Sequence, residues 1–146
     1  MDQSASASVP LDKLDNMQPR ATVSAKTAVP LILVVEDDPQ ILQFVAFALE
    51  DEGFEVVTAV DGREAVEVAT LRRPSLIVLD MSLPRLSGEG VASELRVLYG
   101  NDLPILVVTA DNRASERARH VGAFAYLRKP FDLDNLIRLI QDRLAS

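Results

Sequence analysis

Five short aliphatic runs alternate with segments of helical periodicity from Leu31 onward. The runs are Leu31–Val35, Phe54–Ala59, Leu76–Leu79, Ile105–Val108 and Ala123–Leu127. Near-continuous stretches of aliphatic and β-branched residues are typical of strands that are buried on both faces of a parallel sheet. The alternation therefore predicts five βα units that form a doubly wound α/β domain.

The segments between the runs carry helix-start signals and apolar faces. Pro39 stands at a helix start, Asp61 and Glu64 are spaced as in a capping box, and Asp132 is a predicted N-cap. The residues predicted to share the inner face of the first helix are Ile41, Phe44, Val45, Ala48 and Leu49. Those of the last helix are Leu133, Leu136, Ile137, Ile140 and Leu144.

The first 29 residues differ in composition from the rest of the chain. They are rich in Ser, Ala, Thr and Pro, and they carry three acidic and three basic groups. We predict a flexible N-terminal tail over residues 1–29 and one folded domain over residues 30–146. A short amphipathic helix over Val9–Met17 is the alternative to coil for part of this tail.

Composition excludes several classes of site. The 146 residues include no Cys and one His, which excludes disulfides, thiolate zinc sites and cysteine nucleophiles. The net charge of −7 lies entirely in residues 30–146 and argues against direct binding of nucleic acid. The longest aliphatic run is far too short for a membrane span and no signal peptide is evident, so we expect a cytoplasmic protein without membrane insertion.

Polar side chains follow four of the five predicted strands. They are Glu36, Asp37 and Asp38 after the first strand, Asp80 after the third, Thr109 after the fourth and Lys129 after the fifth. Ligands of doubly wound sheets bind beyond the carboxyl ends of the strands. We therefore expect these side chains to converge on one site.

The residue types at this edge favour phosphoryl chemistry with Mg²⁺. Crowded carboxylates raise one another's pKa unless a cation intervenes, and a set of oxygen ligands alone favours a hard cation. A metal ion and a lysine beside an acidic nucleophile can neutralise the oxygens of a transferring phosphoryl group, and Thr109 could donate a hydrogen bond to it. Lys129 is the only lysine in residues 30–146, where the other 11 basic residues are arginines. That usage suggests a need for a compact point charge.

Four motifs together resemble the receiver domain of two-component response regulators. They are Leu31–Pro39, Leu76–Pro84 with the following Gly88, Val107–Ala110 and Gly122–Phe131. The resemblance extends over about residues 31–145, with every motif in order. It implies a flavodoxin-like (βα)5 fold with the strand order 2-1-3-4-5.

The resemblance also implies a set of site residues. Asp80 would be the phosphoacceptor, and it would receive the phosphoryl group from a sensor histidine kinase or a histidine phosphotransfer protein. Glu36, Asp37, Asp80 and the backbone carbonyl of Ser82 would hold Mg²⁺. Lys129 would contact the acyl phosphate and would precede a cis peptide bond.

Further residues would act in switching. Thr109 would move toward the phosphoryl group after phosphorylation, and the ring of Tyr126 would then turn inward. Ser82 and Asp111 lie two residues after Asp80 and Thr109, and we expect them to tune the lifetime of the phosphoryl group. The ordinary alternatives are a plain core aromatic for Tyr126 and a helix-start role for Asp38, which we favour over metal binding.

A basic patch is the candidate partner surface. Arg113, Arg117 and Arg119 lie on the predicted fourth helix, Asn112–Val121, and Arg128 lies nearby. We expect an unknown protein target to dock on the face of the fourth helix, fifth strand and fifth helix, although ordinary solvated charge is the alternative. Phe47 falls off the apolar face of the first helix and is a candidate contact for the kinase or phosphotransfer protein.

These features favour a phosphorylation-activated switch that is not an enzyme beyond its own phosphoryl transfer and autodephosphorylation. The last predicted helix runs to the end of the sequence, so we expect a stand-alone receiver without an output domain. A phosphorelay carrier is the alternative. A Mg²⁺-dependent phosphatase ranks last, because that class usually has a second Asp two residues after its nucleophile and Ser82 stands there.

Overall fold

The computed structural model describes residues 28–146. Its five parallel strands are β1 (Leu31–Val35), β2 (Glu55–Ala59), β3 (Leu76–Asp80), β4 (Ile105–Thr109) and β5 (Ala125–Arg128). They lie side by side in the order β2-β1-β3-β4-β5, which confirms the predicted doubly wound topology. The register places Val35 beside Leu79 and Asp80 beside Val108, so the carboxyl ends of β1, β3 and β4 form one continuous edge.

Helices cover both faces of this sheet. They are α1 (Pro39–Asp51), α2 (Gly62–Leu71), α3 (Gly88–Tyr99), α4 (Ala114–Val121) and α5 (Leu133–Ala145). Because side chains alternate along a strand, Ile32 and Val34 of β1 pack with α1 and α5, whereas Leu33 and Val35 pack with α2, α3 and α4. The sheet therefore separates two apolar cores.

Three predicted helix caps are present. The carboxylate of Asp38 accepts hydrogen bonds from the backbone N–H groups of Gln40 and Ile41. Asp61 caps α2 and Asp132 caps α5 in the same way. Asp38 therefore satisfies orphan donors of α1, which supports the helix-start interpretation of this residue.

The strand predictions were wrong in two respects. β2 and β5 lie at the edges of the sheet: β5 alternates between half-buried and exposed residues and β2 has exposed residues at Glu55 and Thr58, whereas every residue of β1, β3 and β4 is buried. β5 begins at Ala125, two residues later than predicted, because Ala123 and Phe124 belong to the turn after α4. Similarly, α4 begins at Ala114 rather than Asn112.

The predicted inner face of α1 also needs correction. Its buried residues are Leu42, Val45 and Leu49, whereas the side chain of Phe44 is 64% exposed. Leu42, Val45 and Leu49 follow the i, i+3, i+7 spacing of one helix face, and Phe44 lies about 130° away from its centre at 100° per residue. Both Phe44 and Phe47 therefore point away from the core.

Two predictions concern the ends and the environment of the chain. The predicted tail and the alternative helix over residues 9–17 lie outside the described residues, apart from residues 28 and 29. Within residues 28–146, no helix combines the length and the apolar composition needed to cross a membrane.

Candidate functional site

Three carboxylates lie together at the carboxyl edge of the sheet. One oxygen each of Glu36, Asp37 and Asp80 can be chosen such that all three lie within 4.8 Å of one another. Glu36 and Asp80 are only 4% and 3% exposed, while Asp37 is open to solvent. Since β1 and β3 are neighbours, their ends bring these groups together as the sequence predicted.

The Lys129 ammonium joins two of these carboxylates. Its Nζ lies 2.8 Å from Oε1 of Glu36 and 3.2 Å from Oδ2 of Asp80. The backbone N–H of Lys129 donates to the carbonyl of Thr109, and the bond between Lys129 and Pro130 is cis, as the resemblance implies. The lysine thus extends from the end of β5 across β4 to the carboxylates.

Burial and neighbouring charges have opposing effects on the pKa values of Glu36 and Lys129. Burial raises the pKa of Glu36, and so does the negative charge of Asp80, which together outweigh the lowering by Lys129 and by the backbone N–H of Asp38. Burial lowers the pKa of Lys129, but its hydrogen bond to Glu36 and the charge of Asp80 outweigh that effect and raise it overall. A further cation would relieve the repulsion between Glu36 and Asp80.

Both carboxylate oxygens of Asp80 have hydrogen-bond partners. Its Oδ1 accepts a hydrogen bond of 3.0 Å from the backbone N–H of Ser82, and its Oδ2 faces Lys129. Ser82 is exposed, so solvent reaches the loop that follows Asp80. The acidic cluster contains only hard oxygen donors, and one of its members is exposed, which fits a cation such as Mg²⁺ that retains part of its water shell.

The predicted switch residues occupy different environments. The Thr109 side chain is fully buried, and its hydroxyl accepts a hydrogen bond of 3.1 Å from the backbone N–H of Asp111. Tyr126 lies on the edge strand β5 and is 43% exposed, so its ring is partly outside the core. The two side chains thus lie on adjacent strands, since β4 pairs with β5.

The predicted partner-surface residues divide into two groups. Arg113, Arg119, Arg128 and Phe47 are exposed. Arg117 is not part of that open surface, because its side chain is only 20% exposed and forms an ion pair with Glu89 of α3. The docking role of all five residues stays a prediction.

Sequence reasoning missed an apolar groove beside the lysine. It lies between α1 and the start of α5, and it is lined by Ile41, Phe44, Val45, Ala110, Lys129, Pro130, Phe131 and Leu133. The sequence pattern predicts Phe44 to lie in the core and so gives no sign of this groove. A helical wheel centred on Leu42, Val45 and Leu49 would have placed Phe44 and Phe47 on the surface together.

Comparison with known proteins identifies the class. Residues 32–141 match the family model of the response regulator receiver domain, and the chain belongs to this family. Among curated proteins it is 43% identical over 124 residues to the transcriptional regulatory protein PdtaR of Mycobacterium tuberculosis. That alignment covers 82% of this chain but 60% of PdtaR, so the chain matches only part of its relative's length.

Solved structures give the same answer. The receiver domain of the sensor histidine kinase PA1611 from Pseudomonas aeruginosa aligns with a TM-score of 0.74 and 33% identity, over 82% of this chain and all of that one. It holds a magnesium ion in its active-site cleft. The response regulator TrrA of Thermotoga maritima, in complex with Mg²⁺-BeF, aligns with a TM-score of 0.71 and 31% identity, over 78% of this chain and 98% of that one. The fold is thus that of a receiver domain.

Proposed function

We propose that this receiver domain is a signalling switch that accepts a phosphoryl group on Asp80. The observation that carries the proposal is the convergence of Asp80 with Glu36, Asp37 and Lys129 at the edge of the sheet. Oδ2 of Asp80 faces the lysine, which can neutralise a phosphoryl oxygen as negative charge accumulates there. Family membership supports the same chemistry.

Mg²⁺ is the proposed cofactor. Glu36, Asp37, Asp80 and the backbone carbonyl of Ser82 would hold it. The bound ion would supply positive charge to the oxygens of the transferring group. The magnesium ions in the PA1611 and TrrA structures support this assignment.

Thr109 and Tyr126 would carry the signal away from the site. Thr109 is buried at the end of β4, the strand next to that of Asp80, and its hydroxyl accepts a single hydrogen bond among the described residues, so it can turn toward a new phosphoryl group at small cost. Tyr126 is partly exposed and lines a cavity with Ala118 of α4 and Leu139 of α5, into which its ring would turn. The face of α4, β5 and α5, with Arg113, Arg119 and Arg128, would then bind an unknown protein target differently.

The phosphoryl group would come from a sensor histidine kinase or a histidine phosphotransfer protein. The apolar groove beside Lys129 and the exposed rings of Phe44 and Phe47 provide a surface for such a partner next to the phosphoacceptor. In this proposal the domain takes part in one phosphoryl transfer from its partner to Asp80 and in the slow hydrolysis that follows. It does not turn over an external substrate. The domain would therefore not act as an enzyme in the usual sense.

A phosphorelay carrier is the second candidate. One structural relative is the receiver of a sensor histidine kinase, whereas PdtaR is a transcriptional regulatory protein, so both settings occur among similar proteins. A carrier would return its phosphoryl group to a histidine of a phosphotransfer protein, while a terminal switch would lose it to water. A phosphatase remains disfavoured because Ser82 cannot act as the second acid.

Intact mass after incubation with acetyl phosphate or phosphoramidate and Mg²⁺ tests the assignment. We expect one added phosphoryl group on the wild type, and none on Asp80→Asn or without Mg²⁺. Asp51→Asn, which alters an exposed acid at the far end of α1, should be labelled like the wild type. Undiminished labelling of Asp80→Asn, or wild type that takes up neither a phosphoryl group nor beryllofluoride, would contradict the proposal.

A further inference from the structure

The guanidinium of Arg117 joins three segments that surround Asp80. Its Nε and Nη2 donate to both carboxylate oxygens of Glu89, at 2.9–3.0 Å. Nη1 lies 3.4 Å from Oδ2 of Asp111, and Nη2 lies 3.3 Å from the carbonyl oxygen of Met81. One side chain of α4 therefore contacts the start of α3, the loop after β4 and the residue that follows Asp80.

The contact between Arg117 and Glu89 is bidentate, and it is therefore more ordered than a single-contact surface ion pair. Paired N–H donors to one carboxylate fix the plane of the guanidinium as well as its position. The side chains of Arg117 and Glu89 are only 20% and 35% exposed. We refer to Arg117, Glu89, Asp111 and the Met81 carbonyl as the Arg117 clamp.

Gly88 allows α3 to come close enough to form the clamp. A Cβ atom at Gly88 would lie 2.6 Å from Sδ and 2.8 Å from Cα of Met81, closer than side chains pack. Glycine at this position lets the first turn of α3 lie on the backbone next to Asp80. Glu89, the next residue, is thereby brought to Arg117.

Asp111 is the residue of the Arg117 clamp that could accept a proton from an attacking water molecule. Its backbone N–H donates to the Thr109 hydroxyl, which places it beside the site. Both of its carboxylate oxygens are engaged, since Oδ1 accepts a hydrogen bond of 2.8 Å from the backbone N–H of Arg113 and Oδ2 faces Arg117. Each oxygen can accept a further hydrogen bond, but these contacts direct both oxygens toward Arg113 and Arg117, which hinders the carboxylate from turning to a water molecule at Asp80.

We infer that Arg117 is a positioning residue that lengthens the life of the acyl phosphate by holding the Asp111 carboxylate away from the attacking water. The inference rests on the proposed phosphorylation of Asp80. In the hydrolysis it restrains, a water oxygen forms a bond to phosphorus and the bond from phosphorus to the Asp80 oxygen breaks. Inorganic phosphate leaves, Asp80 regains its carboxylate, and the proton of the water passes to Asp111 and then to solvent.

Release of the clamp should therefore speed hydrolysis. A well-placed general base contributes roughly 10²–10⁴-fold, and a freed but mobile Asp111 should supply a small part of that. We expect Arg117→Gln to shorten the phosphoryl lifetime about 3- to 10-fold. Arg117→Lys should act in the same direction, because an ammonium keeps the charge but cannot reach all three partners at once.

The experiment follows the loss of the added phosphoryl mass after the donor is removed by desalting in Mg²⁺ buffer. Glu89→Gln is a second variant that loosens the clamp without altering α4. Arg72→Gln is the matched control, because it removes a 2.9 Å arginine–glutamate pair near the opposite edge of the sheet and should leave the lifetime unchanged. Melting temperatures of all variants show whether the fold is kept.

The Asp111→Asn background separates a positioning role from a structural one. If Arg117 acts through Asp111, adding Arg117→Gln to Asp111→Asn should change the lifetime less than about 1.5-fold. Equal shortening in both backgrounds, or an unchanged or longer lifetime in Arg117→Gln itself, would overturn the inference while leaving phosphorylation of Asp80 intact. A wild type that accepts neither a phosphoryl group nor beryllofluoride would overturn the proposed function and the inference with it.

Discussion

The helices α4 and α5 flank the same edge strand but are held to the sheet in different ways. α5 buries Leu136 and Ile140 completely, and further aliphatic residues of that helix pack around them. The buried face of α4 consists of Ala114, Ala118 and Val121. Burial of a leucine, isoleucine or valine contributes about 1.5–3 kcal/mol and an alanine methyl much less, so α4 has one such residue, Val121, where α5 has Leu136 and Ile140 fully buried.

Hydrogen bonds and ion pairs from arginine side chains also hold α4 to the domain, and they add to the stabilisation by its small apolar face. Arg117 holds the middle of the helix to Glu89, and the guanidinium of Arg96 donates to the carbonyl of Val121 at its end. Partly exposed ion pairs contribute about 0–1 kcal/mol each. We therefore expect a shift of α4 to cost less free energy than a shift of α5, as the proposed response of α4 to phosphorylation of Asp80 requires.

The largest expected effect comes from the core of α5. Leu136→Ala should lower the free energy of unfolding by about 2–5 kcal/mol, because it leaves a cavity among fully packed residues. Urea denaturation measures the loss. Leu71→Ala is the matched control, since Leu71 is 84% exposed and its loss should change the free energy by less than about 0.5 kcal/mol. Similar losses in the two variants would remove the distinction between scaffold and surface.

Much of this architecture could be predicted from the sequence. Continuous aliphatic runs mark buried parallel strands, and the residues that end them lie at one edge because every strand points the same way. The exposure of the edge strands was harder to predict, because it depends on which strands have neighbours on both sides. The prediction for Phe44 was wrong because a large aromatic residue is usually buried, and its exposure follows only once Leu42, Val45 and Leu49 define the buried face of α1.

The residues of the acidic site could be predicted from the sequence, but the contacts of Arg117 around it could not. Glu36, Asp37, Asp80 and Lys129 follow strand ends, and the topology alone brings them together. The inward turn of Arg117 was not predictable, because its partners Glu89 and Asp111 belong to other segments and the approach of α3 depends on Gly88. Local periodicity gives only a partial signal: at 100° per residue Arg117 lies about 65° from the centre of the face formed by Ala114, Ala118 and Val121, whereas Arg113 and Arg119 lie more than 100° away.

The second prediction concerns the acidic cluster of Glu36, Asp37 and Asp80. Mg²⁺ at ten times its dissociation constant should raise the free energy of unfolding by about 1.4 kcal/mol, because the ion binds the folded protein alone. In Asp37→Ala the same concentration should give almost no gain, as one ligand is lost. Thermal or urea unfolding with and without Mg²⁺ provides the measurement.

An exposed acid elsewhere provides the control for charge alone. Asp51→Ala removes a carboxylate at the end of α1, far from the cluster, and should keep the full response to Mg²⁺. If Asp37→Ala responded as strongly as Asp51→Ala, Asp37 would not be a ligand.

The smallest expected effect is the salt dependence of α4. Raising NaCl from 0.1 M to 1 M shortens the screening length from about 10 Å to about 3 Å. The free energy that protects α4 amides from hydrogen exchange should fall by about 0.5 kcal/mol, since exposed parts of its ion pairs are screened. Amides of α5 should be unaffected apart from general salt effects, and an equal change in both helices would speak against polar tethering.

Amide chemical shifts on addition of beryllofluoride and Mg²⁺ test the central claim most directly. We predict large shifts for Asp80, Thr109, Tyr126 and the backbone of α4, and small shifts for the buried positions of α5. Asp80→Asn should show none of the beryllofluoride-dependent shifts. Shifts spread evenly over α4 and α5, or retained in Asp80→Asn, would contradict the account of a phosphoacceptor at Asp80 coupled to a polar-tethered helix.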